Sequence, residues 1–180
     1  MNTDIERILF GQAQIAGAVQ QLAAEIAADY RGKNPLLICV LKGGSVFHAD
    51  LMRALDFPVE IDFIAARSYG MNSHSTGTLE ILKPPSADIS GREVILVEDI
   101  LDTGFSLAAL VHTLLEKKPV SLKVAVFLDK MLGVQKPIEA DYKCFDADNE
   151  FLVGYGLDYA ERYRNLPYVG VLKREAYNGN

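Results

Sequence analysis

The stretch VILVEDILDTGFS, residues 94–106, opens with an unbroken apolar run, Val94-Ile95-Leu96-Val97. A run without alternation suits a strand covered on both faces, as in a parallel sheet between layers of helices. The strand is expected to stop at Glu98-Asp99, with a third acid at Asp102 and a helix opening at Thr103-Gly104-Phe105-Ser106. Three carboxylates then crowd one strand end. Open α/β sheets bind ligands outside the carboxyl ends of their strands, beside helix N-termini. A turn of small residues can bring backbone N–H groups close to an anion, the hydroxyls of Thr103 and Ser106 add donors, and the helix dipole favours negative charge. Two adjacent subsites follow: carboxylates suited to cations or sugar hydroxyls, and a turn suited to phosphate. Two carboxylates 4 Å apart repel by on the order of 4 kcal/mol at an intermediate dielectric, so something must neutralise or separate them. Mg²⁺ shared with phosphate oxygens would do so. On chemistry alone, the same acids also read as solvated strand-end residues with Asp102 as a helix cap.

Outward from this stretch, the pattern is one of alternating strands and helices. Ile8, Ile15, Val19, Leu22 and Ile26 recur at helical spacing and predict an amphipathic helix over residues 4–29. Strands are predicted at residues 36–41, 59–65, 94–97 and 122–128, and helices at 45–55 and 106–117. The fold class is α/β: a twisted, mainly parallel sheet flanked by helices. Residues 68–77, SYGMNSHSTG, are too long and polar for a routine connection and are expected to form a lid. After Met131 the helical periodicity gives way to short β-like pieces, YKCF, EFLVGYG and PYVGVL. These are expected to form a small β-rich hood, about residues 131–180, laid over the sheet edge within a single domain of residues 1–180. The final KREAYNGN reads as a frayed polar tail.

The 180 residues are 49% hydrophobic, enough for a substantial core, and carry 18 basic against 24 acidic residues. With a net charge of −6 and no basic tract, a nucleic-acid partner is not expected. Asp4, Glu6 and Arg7 break any signal-peptide core, and no apolar run approaches the roughly 18 residues of a membrane span. The cytoplasm is the expected compartment, with Cys39 and Cys144 as reduced thiols.

The stretch is neither a Walker loop nor a dinucleotide fingerprint. It resembles the phosphoribosyl-diphosphate signature of type I phosphoribosyltransferases, and EDILDTG is closest to the version in the hypoxanthine-type members. The resemblance covers nearly the whole chain. VLKGG, residues 40–44, is similar to the family's pyrophosphate turn, implying a non-proline cis peptide at Leu41-Lys42 and pyrophosphate contacts from Lys42 and Gly43. Ser68 and Tyr69 match the start of the catalytic lid. Lys130 lies 28 residues before Asp158, an order similar to the purine pocket. The resemblance makes Lys130 the donor to the oxygen at purine position 6, Phe151 the stacking ring, Leu152 its apolar neighbour, Asp158 a metal-associated carboxylate and Arg164 a pyrophosphate ligand. MLGVQKPIEAD, residues 131–141, and KCFDADNEF, residues 143–151, depart from the family pattern at the pocket rim.

The resemblance implies purine salvage: transfer of the phosphoribosyl group of phosphoribosyl diphosphate to N9 of hypoxanthine or guanine. The 5-phosphate would lie on Thr103, Gly104, Phe105 and Ser106, the ribose on Glu98 and Asp99, and Mg²⁺ on Glu98, Asp99 and Asp158. Asp102 would be the acid/base group at N7. The partners implied are a 6-oxopurine and phosphoribosyl diphosphate, in a homodimer or homotetramer without nucleic acid or membrane. Two alternatives stand: a transferase preferring xanthine or another base, and a non-catalytic sensor of phosphoribosyl diphosphate.

Overall fold

The computed structural model describes residues 2–69 and 78–177. A 3-10 turn, Asn2–Asp4, leads into β1 (Ile5–Phe10), followed by α1 (Gln12–Tyr30), β2 (Leu36–Leu41), α2 (Ser45–Ala54), β3 (Glu60–Tyr69) and β4 (Thr78–Lys83). Then come β5 (Glu93–Leu101), α3 (Phe105–Leu115), β6 (Ser121–Lys130), β7 (Tyr142–Ala147), β8 (Leu152–Val153), β9 (Val169–Leu172) and α4 (Arg174–Tyr177).

The main sheet runs β4-β3-β2-β5-β6-β7. Its neighbours are parallel except for the antiparallel edge strand β4. β5 lies at its centre because it has no polar face to expose. Val94 and Leu96 pack with Leu107, Leu110 and Leu114 of α3, while Ile95 and Val97 join Phe47 and Leu51 of α2 and Ile15 and Leu22 of α1. The two-residue alternation of a strand thus feeds two separate apolar layers. All parallel strands run the same way, so β2, β5 and β6 deliver their C-terminal residues to one edge.

The structure corrects three sequence expectations. The first helix begins only at Gln12; Ile5–Phe10 is a strand, and Ile8, counted on the helical face, is 57% exposed. Gly11 breaks the two elements apart, and its N–H donates to Gln14 Oε1 at 2.8 Å to start α1. Second, YKCF belongs to the main sheet: β7 pairs in parallel with β6, Ala125 opposite Tyr142. The smaller sheet is instead β1-β9-β8, built from both ends of the chain. Third, the C-terminal segment is not frayed through Tyr177. Its short helix brings Tyr177 onto Phe151, with ring centroids 4.7 Å apart. Of the expected lid, Ser68 and Tyr69 end β3, paired with Leu79 and Thr78 of β4; residues 70–77 lie outside the described residues.

His48 on α2 is 2% exposed, and its Nε2 has no hydrogen-bond partner among the described residues. Burial pushes the imidazole below its ordinary range, against a smaller opposing effect of a hydrogen bond to the Leu37 backbone. The folded state therefore keeps His48 neutral where the unfolded chain binds a proton. Stability is fully present above the unfolded value, about pH 6.5, and is lost as pH falls below it. Urea unfolding between about pH 7 and 5 should show wild-type stability declining, and His48→Gln should decline less.

Candidate functional site

The site lies where β2, β5 and β6 end. β5 does not stop at the acids as the apolar run suggested; β6 pairs with it through Glu98–Val126, Ile100–Leu128 and Leu101–Asp129. On its other side, pairing with β2 ends at Cys39–Val97. Glu98 and Asp99 therefore stand on a rigid strand beyond the last rung of β2. There the chain turns through a cis Leu41-Lys42 peptide into Gly43 and Gly44. Gly43 is packed directly on Asp99, and a Cβ at Gly43 would lie 1.6 Å from Asp99 Oδ2. Gly43, Glu98, Asp99, Ser106, Asp158 and Arg164 line one cavity of about 270 Å³.

The repulsion expected of adjacent acids is visible in their ionisation. The Glu98 carboxyl is held well above its usual range, chiefly by burial and then by the neighbouring Asp99 charge. Asp99 is also raised by burial, with a hydrogen bond from Glu98 and the charge of Arg164 pulling the other way. Burial thus raises both carboxyls, and the two titrate as an interacting pair. Arg164 supplies the nearby positive charge. Its Nη2 lies 2.8 Å from Asp158 Oδ1, its Nη1 donates to Gly156 O at 2.7 Å, and its buried Nε–H has no partner among the described residues. A buried N–H without an acceptor is costly, and the same guanidinium lines the acidic cavity.

Beyond Leu101, Asp102 lies half exposed, its Oδ2 3.3 Å from Lys130 Nζ. Lys130 ends β6 and is mostly buried, so adjacent strands present an acid and an ammonium side by side. Gly104 follows at φ 82°, the left-handed region glycine tolerates, and starts α3. Thr103 and Phe105 are exposed around it. Lys42 is exposed and pairs with Glu161 Oε2 at 3.2 Å. Phe151 stacks on Tyr177 and meets Tyr159 edge-on, and Leu152 is buried in β8.

Glu161 was missed by the sequence reading although it lies between the two expected pyrophosphate cations, 3.6 Å from Arg164 Nη2 as well as paired with Lys42. Its position three residues after Asp158 and three before Arg164 was the available signal. A separate cavity of about 650 Å³ between α1, α2 and the 155–167 segment shares only Arg164 with the acidic cavity. Among the described residues, no helix is long and apolar enough to cross a membrane.

Residues 8–160 match the family model described as the phosphoribosyl transferase domain. The chain is 49% identical over 178 residues to a hypoxanthine-guanine phosphoribosyltransferase of Streptococcus thermophilus, covering 99% of each. It superposes on a hypoxanthine phosphoribosyltransferase from Staphylococcus aureus with a TM-score of 0.94 at 38% identity, covering 98% of this chain and 96% of that one. A hypoxanthine-guanine phosphoribosyltransferase from Bacillus anthracis gives a TM-score of 0.89 at 41% identity, over 94% of this chain and 99% of that one.

Proposed function

The chain belongs to the phosphoribosyl transferase domain family, and on that premise we propose that it transfers the phosphoribosyl group of phosphoribosyl diphosphate to N9 of hypoxanthine, and of guanine, releasing pyrophosphate. The observation that carries this reading is the pairing of Lys130 Nζ with Asp102 Oδ2 at 3.3 Å on adjacent strand ends. A 6-oxopurine presents its exocyclic oxygen and N7 on the same edge. Lys130 donates to the oxygen, and Asp102 exchanges the proton at N7. An adenine amino group would face an ammonium that accepts no hydrogen bond, so the pair selects 6-oxopurines.

The sugar and leaving group occupy the acidic cavity. Asp99 and Glu98 hold the ribose hydroxyls, and the 5-phosphate sits on the turn from Thr103 to Ser106 at the start of α3. Pyrophosphate takes the backbone of Lys42-Gly43 and the guanidinium of Arg164. Leaving-group departure builds negative charge on its oxygens, where these fixed donors act more strongly than on the ground state. Phe151 covers the purine with Leu152 beside it.

The donor set around the cavity is all oxygen, and Mg²⁺ is held through one or two carboxylates completed by phosphate oxygens. Glu98, Asp99 and Asp158 line the cavity but do not close into a three-ligand cluster among the described residues, so one or two of these carboxylates would hold the metal jointly with substrate oxygens. When bound, Mg²⁺ supplies positive charge to the pyrophosphate oxygens. A cytoplasmic location and assembly as a homodimer or homotetramer belong to the same proposal.

The test is pyrophosphate release, expected only when hypoxanthine, phosphoribosyl diphosphate and Mg²⁺ are all present. Binding of phosphoribosyl diphosphate without any release would point instead to a sensor. Lys130→Ala should lower kcat/KM for hypoxanthine by about tenfold to a hundredfold, the value of one charge-assisted hydrogen bond. Unchanged hypoxanthine use in that variant would misplace the purine.

A further inference from the structure

The segment at the pocket rim, residues 131–141, carries a buried lysine that the mechanism does not use. Lys136 Nζ donates to the Leu101 carbonyl at 2.8 Å and to Asp129 Oδ1 at 2.6 Å. Both side chains are largely buried, at 11% and 16% exposure. The two partners are not arbitrary. Leu101 and Asp129 are paired across β5 and β6, and the next residues are Asp102 and Lys130. One ammonium therefore ties together the last rung beneath the acid and the base-binding lysine. Asp129 is held from its other oxygen by Lys143 Nζ at 3.3 Å.

The neighbouring residues extend the same contact. A Cβ at Gly104 would meet Pro137 Cδ and Ile138 Cγ2, each at 3.3 Å, so the residues after Lys136 also pack against the turn. β5 has lost β2 as a partner by this point, and β6 alone supports its end through the ladder. Lys130 is still paired with Ala147 of β7, so a side-chain tie across the Leu101–Asp129 pair fixes Asp102, beyond the end of β5, relative to an anchored Lys130.

We propose that Lys136 is a positioning residue for the purine, acting through Asp102 and Lys130 by fastening the Leu101–Asp129 rung below them. The inference rests on the function proposed above. Reacting groups displaced by about 1 Å can lose two orders of magnitude in rate.

Steady-state kinetics of Lys136→Met, measured well below its unfolding midpoint, tests this. The expected result is a fall of about 10- to 100-fold in kcat/KM for hypoxanthine, with KM for phosphoribosyl diphosphate within about twofold of wild type. In a Lys130→Ala background the same substitution should cost less than about threefold, because the pair it positions is already broken. A purely structural role would give the same factor in both backgrounds and would overturn the proposal, as would a wild-type kcat/KM in Lys136→Met. Should Lys136→Met not fold, Asp129→Asn loosens the same tie from its other end and is read through the same cycle. Wild-type turnover is the control: its absence contradicts the proposed function, whereas normal wild-type turnover with an unaffected variant contradicts only the role of Lys136.

Discussion

Asp102→Asn should lower kcat for hypoxanthine by about 10²- to 10⁴-fold, the usual contribution of a positioned acid/base group. KM for phosphoribosyl diphosphate should change little. The substitution keeps the size of the side chain and one acceptor oxygen, and Asp102 is half exposed at the surface end of β5, so the fold has no reason to respond. What is lost is the negative charge facing Lys130 at 3.3 Å and the ability to carry a proton. In the proposed reaction the two losses act at the same place, on the N7 edge of the purine. A variant with wild-type turnover would remove Asp102 from the proton path and leave its pairing with Lys130 as surface electrostatics.

Gly43→Ala is expected to cost on the order of 10²-fold in kcat/KM, through displacement rather than removal of a functional group. The new Cβ would lie 1.6 Å from Asp99 Oδ2 and 2.5 Å from Asp99 Cγ. No side chain tolerates that approach, and the Asp99 carboxylate must swing away from the position proposed for the ribose and the metal. Gly43 O is also packed close beneath Gly156, where a Cβ would come within 2.2 Å of it, so the turn cannot retreat in that direction. Circular dichroism should remain native while the affinity for phosphoribosyl diphosphate with Mg²⁺ falls. Retention of both affinity and turnover would show that Asp99 does not contact the ribose or the metal.

The central strand and its acidic end were legible because the signals are local. A short apolar run with no polar face, ended by acids and followed by a small-residue turn, suits a covered strand, and acids placed directly after such a strand emerge at the sheet edge. α2 and β2 were placed nearly to the residue for the same reason. β1 was lost because Ile8 falls seven residues before Ile15, a spacing that a helix and a strand followed by a helix both satisfy; only its antiparallel pairing with β9 separates the two. β7 was assigned to the hood because helical periodicity ends at Met131 and YKCF is the first of several short β-like pieces; its parallel pairing with β6 separates it from the others. In the site, the acids could be read from residue type and the glycine turn from the family resemblance. The ties made by Glu161 and Lys136 could not, because each depends on contacts between segments distant in sequence. The stack of Tyr177 on Phe151 likewise arises from the return of the C-terminal segment to β8.

Side-by-side turnover of hypoxanthine, guanine, xanthine and adenine, each with phosphoribosyl diphosphate and Mg²⁺ and with the nucleotide product separated and identified, bears most directly on the central claim. Nucleoside monophosphate and pyrophosphate should form in equal amounts from hypoxanthine and from guanine, and adenine should give neither. Turnover of adenine at the rate of hypoxanthine, or no nucleotide from any of the four bases, would contradict it.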